Sequence, residues 1–233
     1  MKKGNWTTMT QIHQIWNELK FVSDCSSLTE EQIKIIIPVL KDEISAREVK
    51  RIRYLLQKSG IKRIKRLEDF DWKFNPQLPR SEIMAVNQSS WSTDVKNAVL
   101  IGPSGVGKSH LASAICYQAI QKGIPTAFIT CFDLVNKLKR SSSKYTMMQY
   151  YSNIKLLCLD ELGYVFPNQE QANDIFQIIS KRSEIASTIV TTNLVPSQWG
   201  KIFEAATATA ILDRLNLNGR FITCEGRSYR SKK

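Results

Sequence analysis

Eight consecutive residues of this chain, Gly102-Pro103-Ser104-Gly105-Val106-Gly107-Lys108-Ser109, follow the spacing G-x-x-x-x-G-K-[ST]. The residue types fit a triphosphate. Three glycines let the backbone turn tightly and aim its N–H groups at phosphate oxygens. A helix opening at Lys108 would add the positive end of its dipole. Lys108 would reach the β- and γ-phosphates, and the Ser109 hydroxyl would ligate Mg²⁺. His110 follows directly and completes the expected nucleotide-binding stretch.

A second constellation lies about 50 residues on. LLCLDE (156–161) puts Asp160 and Glu161 at the C-terminal end of an apolar run. In an open parallel sheet, that edge is where ligands bind. Asp160 is expected to hold the metal and Glu161 to polarise an attacking water. Asn193, after STIVTT (187–192), is the candidate for contact with the γ-phosphate or that water. Arg214, in ILDRL (211–215), is the candidate arginine finger for a neighbouring subunit's ATP, and Arg230 a further phosphate contact.

These residues need a scaffold. Strand-like runs fall at 98–102, 126–130, 154–160, 187–192 and 220–225, with helical segments expected at 108–122, 131–140, 168–184 and 197–217. Continuous apolar runs alternating with helices predict an α/β fold, a parallel sheet covered on both faces. Before residue 67 the pattern is helical, over 9–22, 29–40 and 42–59. Thr29 and Gln32 form a capping box, and Pro38 is expected to interrupt. Ile33, Ile35, Ile36, Ile37, Val39 and Leu40 predict burial on most sides, and Val49, Ile52 and Leu56 predict one buried face of the third helix. The expected domains are therefore 1–66, helical, and 67–233, nucleotide-binding. The connector 67–80 carries Phe70, Trp72 and Phe74 and reads as a stiff, extended linker whose aromatics pack on a domain edge.

The charge is uneven. Lysine and arginine number 33 against 21 acidic residues, a net +12. From 47 to 66 there are nine basic residues and one acidic residue. A solvated helix face normally mixes both signs, so this bias predicts contact with phosphate backbones through Arg47, Lys50, Arg51, Lys58, Lys62, Arg63, Lys65 and Arg66. The five cysteines are odd in number with no C-x-x-C pair, which reads against disulfides and zinc and for buried thiols in a reducing cytoplasm. No apolar run approaches the roughly 20 residues of a spanning helix, and the N-terminus lacks the apolar core of a secretion signal. The expected location is the cytoplasm, with no membrane partner.

The stretches LEDFDWKF, GPSGVGKSHLA, LLCLDELGY, IVTTNLVPSQWGKIF, AILDRL and EGRSYR together resemble the IstB-like helper ATPases of insertion sequences. These are AAA+ proteins related to DnaC-type helicase loaders, and the resemblance spans about residues 67–233. It implies a P-loop AAA+ core without a C-terminal lid, preceded by a small helical domain. It also implies ATP and Mg²⁺ as cofactors, assembly as a homo-oligomer on double-stranded DNA with little sequence preference, and a cognate transposase as partner. The resemblance places Walker A at Gly102–Ser109, Walker B at Asp160 and Glu161, sensor 1 at Asn193 and the finger at Arg214. A replicative helicase loader shares the core and differs in its protein partner. A third reading is a nucleotide-gated DNA scaffold with negligible turnover, against which the intact Lys108, Asp160 and Glu161 stand.

Overall fold

The computed structural model describes residues 4–91, 96–164 and 167–231. It divides between Tyr54 and Leu55 into two compact units.

The first unit holds α1 (Gly4–Leu19) and most of α2 (Glu30–Lys58). Its core is Ile12, Ile15, Leu19, Cys25, Ile33 and Ile37. The Thr29–Gln32 capping box forms as expected, with Thr29 N donating to Gln32 Oε1 at 2.9 Å and Gln32 N to Thr29 Oγ1 at 3.3 Å. Pro38 does not interrupt: α2 is one helix of 29 residues. Lys34 and Pro38 are both exposed, so water can solvate the Lys34 carbonyl that loses its helical donor. Burial is also narrower than expected. Ile35, Val39 and Val49 are exposed, and only Ile33 and Ile37 are fully buried. A helix interior of mixed charge with few packed neighbours leaves its apolar residues in solvent.

The second unit is a five-stranded sheet of β1 (Asn97–Ile101), β2 (Thr126–Thr130), β3 (Leu156–Leu162), β4 (Ser187–Thr192) and β5 (Gly219–Thr223), in the order β2-β3-β4-β1-β5. Every pairing is parallel. Alternate residues feed opposite cores. Val99, Ile101, Leu157, Leu159 and Val190 meet α5 (Cys131–Arg140), α6 (Lys144–Asn153), α7 (Gln169–Arg182) and α8 (Ala205–Asn216). Ala98, Leu100, Leu156, Cys158 and Ile189 meet α3 (Arg80–Asn87) and α4 (Lys108–Gln121).

All five expected strands form, and α5 has its predicted bounds. The predicted helix 197–217 is a 3₁₀ segment, Pro196–Lys201, followed by α8. Two helices, α3 and α6, lie outside the expected helical segments. α3 begins straight after Pro79, where the sequence reads as linker. α6 is capped by Ser143, whose side chain accepts from Thr146 N. Phe70 and Trp72 pack against the α4-side core, as the edge-packing expectation has it. Residues 55–66, grouped by composition with the helical segment, pack with the sheet: Phe128 N donates to Ser59 O at 2.7 Å. All five cysteines are buried free thiols. No described helix is long and apolar enough to cross a membrane, and no helical lid follows β5 among the described residues.

Candidate functional site

The sheet's strand order brings the chemistry together. β1 lies between β4 and β5, and β3 pairs β4. The loop leaving β1 therefore emerges beside the ends of β4 and β3, which carry Thr191 and Asp160. Gly102 N donates to Thr192 O at 3.1 Å, anchoring the loop to β4. Gly105 and Gly107 have φ of 85° and 106°, in the left-handed region. A Cβ on Gly105 would stand 2.0 Å from Ser228 Oγ, and one on Gly107 2.7 Å from the Phe70 ring. Glycine is required at both for conformation and for space.

Lys108 is buried and folds back across the loop, donating to Gly102 O at 2.7 Å and Pro103 O at 2.8 Å. Burial pushes its pKa below the usual lysine range. Arg230 adds to that push, while Cys224 and the carboxylates of Asp160 and Glu161 oppose it. A polyphosphate would supply the opposite charge that this ammonium lacks.

Asp160 is 5 % exposed and is the focus of two hydroxyls. Ser109 Oγ donates to Asp160 Oδ1 at 2.7 Å, and Thr191 Oγ1 donates to the same oxygen at 2.5 Å. Glu161 N in turn donates to Thr191 Oγ1 at 3.0 Å. The residue sits at a break in the β3–β4 register with φ 61°, a conformation uncommon outside glycine and Asn. The bulge turns Glu161 out of the strand alternation and into the cavity beside the loop. A carboxylate with an adjoining hydroxyl, set at a phosphate loop, fits Mg²⁺, which takes few protein oxygens and shares the rest with phosphates and water.

That cavity, about 310 Å³, is lined by the loop from Ser104 to His110, by Glu161 and Thr191, and by Phe70, Phe74, Tyr164, Tyr229 and Arg230. His110 stacks edge-on to Phe70 at 5.1 Å, and its Nε2 is buried without a hydrogen-bond partner among the described residues. Burial, with Lys65 nearby, holds His110 below its ordinary range. Thr191 and the tail residues Ser228 and Tyr229 were missed as site residues. Thr191 had only its place in a β-branched run as a signal, and Tyr229 N reaches Gly105 O at 2.9 Å through a contact that no local pattern encodes.

Asn193 is exposed past the end of β4, its Oδ1 beside Gly163 in the turn after Glu161. Arg214 lies elsewhere. Asn97, the first residue of β1, donates to Arg214 O and Leu217 O at 3.2 Å each, whereas the phosphate loop leaves the other end of β1. The strand length between them is about 13 Å. The guanidinium stacks 5.2 Å from the Phe176 ring and donates to Ala210 O at 2.9 Å, facing a polar hollow with Ser180, Ser183 and Glu184. It is not brought to its own phosphate loop.

The basic residues distribute over both units. Arg47, Lys50 and Arg51 are exposed on α2 in the first, and Arg47 pairs with Glu43 at 2.6 Å. Lys58 and Arg66 are exposed in the second. Lys62, Arg63 and Lys65, with Lys137 of α5, line a groove that also contains Ser109 and Asp160.

Comparison with known proteins agrees with this geometry. The family described as IstB-like ATP binding protein matches residues 8–233. A protein of Bacillus thuringiensis subsp. berliner, named for ATP binding in insertion sequence IS232, is 34% identical over 93% of this chain and 84% of its own length. One from Pseudomonas aeruginosa, named likewise for insertion sequence IS21, is 32% identical over 83% of this chain and 75% of its own. Among solved structures, DnaI superposes with a TM-score of 0.59 at 20% identity, covering 70% of this chain and 89% of its own. AMPPCP-bound DnaA from Aquifex aeolicus gives 0.60 at 15% identity, covering 72% and 52%. The two structures establish a shared fold. With its phosphate loop and acidic strand end assembled at one sheet edge, and with its near-complete match, the chain belongs to the family of IstB-like ATP binding proteins.

Proposed function

We propose that this protein is a cytoplasmic, Mg²⁺-dependent ATPase that assembles on double-stranded DNA and assists the transposase of an insertion sequence. The observation that carries the hydrolytic part is the convergence of Ser109 and Thr191 on Asp160 beside Glu161.

The loop N–H groups and Lys108 bind the triphosphate, with Lys108 exchanging the Gly102 and Pro103 carbonyls for phosphate oxygens. Ser109 and Asp160 hold Mg²⁺, which when bound neutralises charge on the phosphate oxygens. Glu161 accepts the proton of the attacking water. Thr191 fixes Glu161 through its backbone N–H while holding Asp160 through its own hydroxyl, so metal ligand and base move together. Asn193 orients the water from the neighbouring turn. Arg214, directed away from its own loop, completes the site of an adjacent subunit and stabilises the transferring phosphoryl group. Arg230 contacts phosphate from the tail.

The basic residues of 47–66 grip DNA backbone without reading bases. Loading of a replicative helicase is the alternative reading, on a core whose fold is shared with the DnaC helicase loader. The relatives' insertion-sequence names favour transposition.

The test is phosphate release with and without duplex DNA, for the wild-type chain and Glu161→Gln. Glu161→Gln should retain ATP binding and lose turnover by about 100-fold or more. An unchanged rate would remove Glu161 as the base. Affinity for DNA should fall steeply with salt, and co-purification should favour the transposase over the helicase. A flat salt response would count against backbone binding.

A further inference from the structure

Outside the nucleotide site, one cluster of mixed metal-ligand side chains stands out. His13, Asp24 and Cys25 bring an imidazole nitrogen, a carboxylate oxygen and a thiol sulfur within 4.8 Å of one another. The pair of best zinc ligands is already close: His13 Nδ1 and Cys25 Sγ are 3.3 Å apart. Tetrahedral Zn²⁺ with Zn–N near 2.0 Å and Zn–S near 2.3 Å requires about 3.5 Å between them.

We propose that His13, Asp24 and Cys25 form a zinc site that staples α1 to the turn before α2, with its fourth position open to water. In the free protein the ligand atoms of His13 and Cys25 hydrogen-bond to each other, and the cation would replace that bond. Trp16 Nε1 donates to Ser23 O at 2.7 Å, drawing the turn onto α1. Asp24 Oδ1 accepts from Ser26 N at 3.1 Å and Ser26 Oγ at 2.9 Å, which fixes the orientation of the carboxylate. Leu28 N donates to Cys25 O at 3.2 Å and fixes the cysteine backbone. Cys25 is buried, with its sulfur toward His13, while His13 and Asp24 reach solvent and give a metal a path in. Binding exchanges the thiol proton for the metal: the Cys25 S–H proton leaves to solvent and the thiolate, neutral imidazole and carboxylate coordinate.

A staple at this place has a physical use. Among the described residues, the first unit buries six apolar side chains, Ile12, Ile15, Leu19, Cys25, Ile33 and Ile37. Cores of that size are marginal, and small units commonly add a metal. Spacing alone missed the cluster, because the ligands do not form a C-x-x-C or H-x-x-x-H pattern. The turn between the helices returns Cys25 to His13, 12 positions away.

The experiment is titration of the full, chelator-treated chain with Co²⁺, read by absorbance and then by zinc competition. One equivalent should give a thiolate-to-cobalt charge-transfer band that zinc bleaches. Cys25→Ser should abolish the band, His13→Ala should weaken binding by about 100-fold and Asp24→Asn by about 10-fold, while Cys224→Ser leaves it intact. Amide exchange across residues 12–37 should slow on adding zinc, and His13→Ala should lose that slowing. No thiolate band at stoichiometric cobalt, or a band that survives in Cys25→Ser, would overturn the site. Should Cys25→Ser fail to fold, an unaltered band in His13→Ala would overturn it equally.

Discussion

Asn75 clasps the backbone of Arg227 on both sides. Its Oδ1 accepts from Arg227 N at 2.8 Å and its Nδ2 donates to Arg227 O at 2.8 Å. Phe74, the preceding residue, is flanked by Tyr229 at 4.9 Å and the Arg227 guanidinium at 5.1 Å. Two residues beyond the clasp, Tyr229 N holds Gly105 O. The segment before the sheet, the tail after it and the phosphate loop are thus one connected structure.

Asn75→Ala should therefore weaken ATP binding without touching a phosphate. It removes the acceptor of the Arg227 N–H and the donor to its carbonyl, a loss of about 0.5–1.5 kcal/mol for each bond. Thermal denaturation should show that loss, and fluorescent-nucleotide titration should show a raised Kd. Unchanged ATP affinity in a destabilised protein would mean that the tail supports the fold alone.

Thr191→Val keeps the β-branched shape and removes the hydroxyl shared by Asp160 and Glu161. Turnover should drop by about 10–100-fold while nucleotide affinity with Mg²⁺ changes little, as expected of a positioning residue. The stronger Mg²⁺ dependence of the variant's rate distinguishes this from general destabilisation.

For Arg214→Ala, equilibrium ATP binding by the isolated chain should be unaffected, because the residue lies at the opposite end of β1 from its own loop. DNA-stimulated turnover should fall by about 10³-fold or more if the guanidinium serves a neighbour. Arg214→Lys controls for loss of the Phe176 stack. Mixing Arg214→Ala with Glu161→Gln protein should restore part of the activity, since each can supply what the other's interface lacks. Full activity in a monomeric Arg214→Ala protein would dismiss a role in trans.

Lys108 gives a pH signature. Its folded pKa is depressed, chiefly by burial. Between that value and the unfolded one, the unfolded chain binds more protons, so stability of the free protein rises with pH through this window. A triphosphate reverses the imbalance by favouring the charged ammonium. ATP binding at alkaline pH should take up protons, seen by calorimetry in two buffers of different ionisation enthalpy. The thermal shift produced by ATP should shrink as pH climbs. Proton release on binding would contradict this electrostatic account.

The phosphate loop, the acidic strand end and the five strands were legible in the sequence because each is a local code. A glycine spacing sets a loop, and a continuous apolar run sets a buried strand. Helices such as α6, with three tyrosines in ten residues, lack such a code and form because Met148 and Tyr151 are buried in the core that α6 shares with α5 and α7. Pro38 shows the converse, a local breaker overruled where the freed carbonyl meets water. What tertiary structure alone decided is which distant residues share an atom. Strand order places Thr191 against Asp160, 31 positions away, and the tail's return places Tyr229 against Gly105. Those contacts depend on how parallel strands are ordered and where a chain end packs, and neither leaves a periodic trace in the residues that make them.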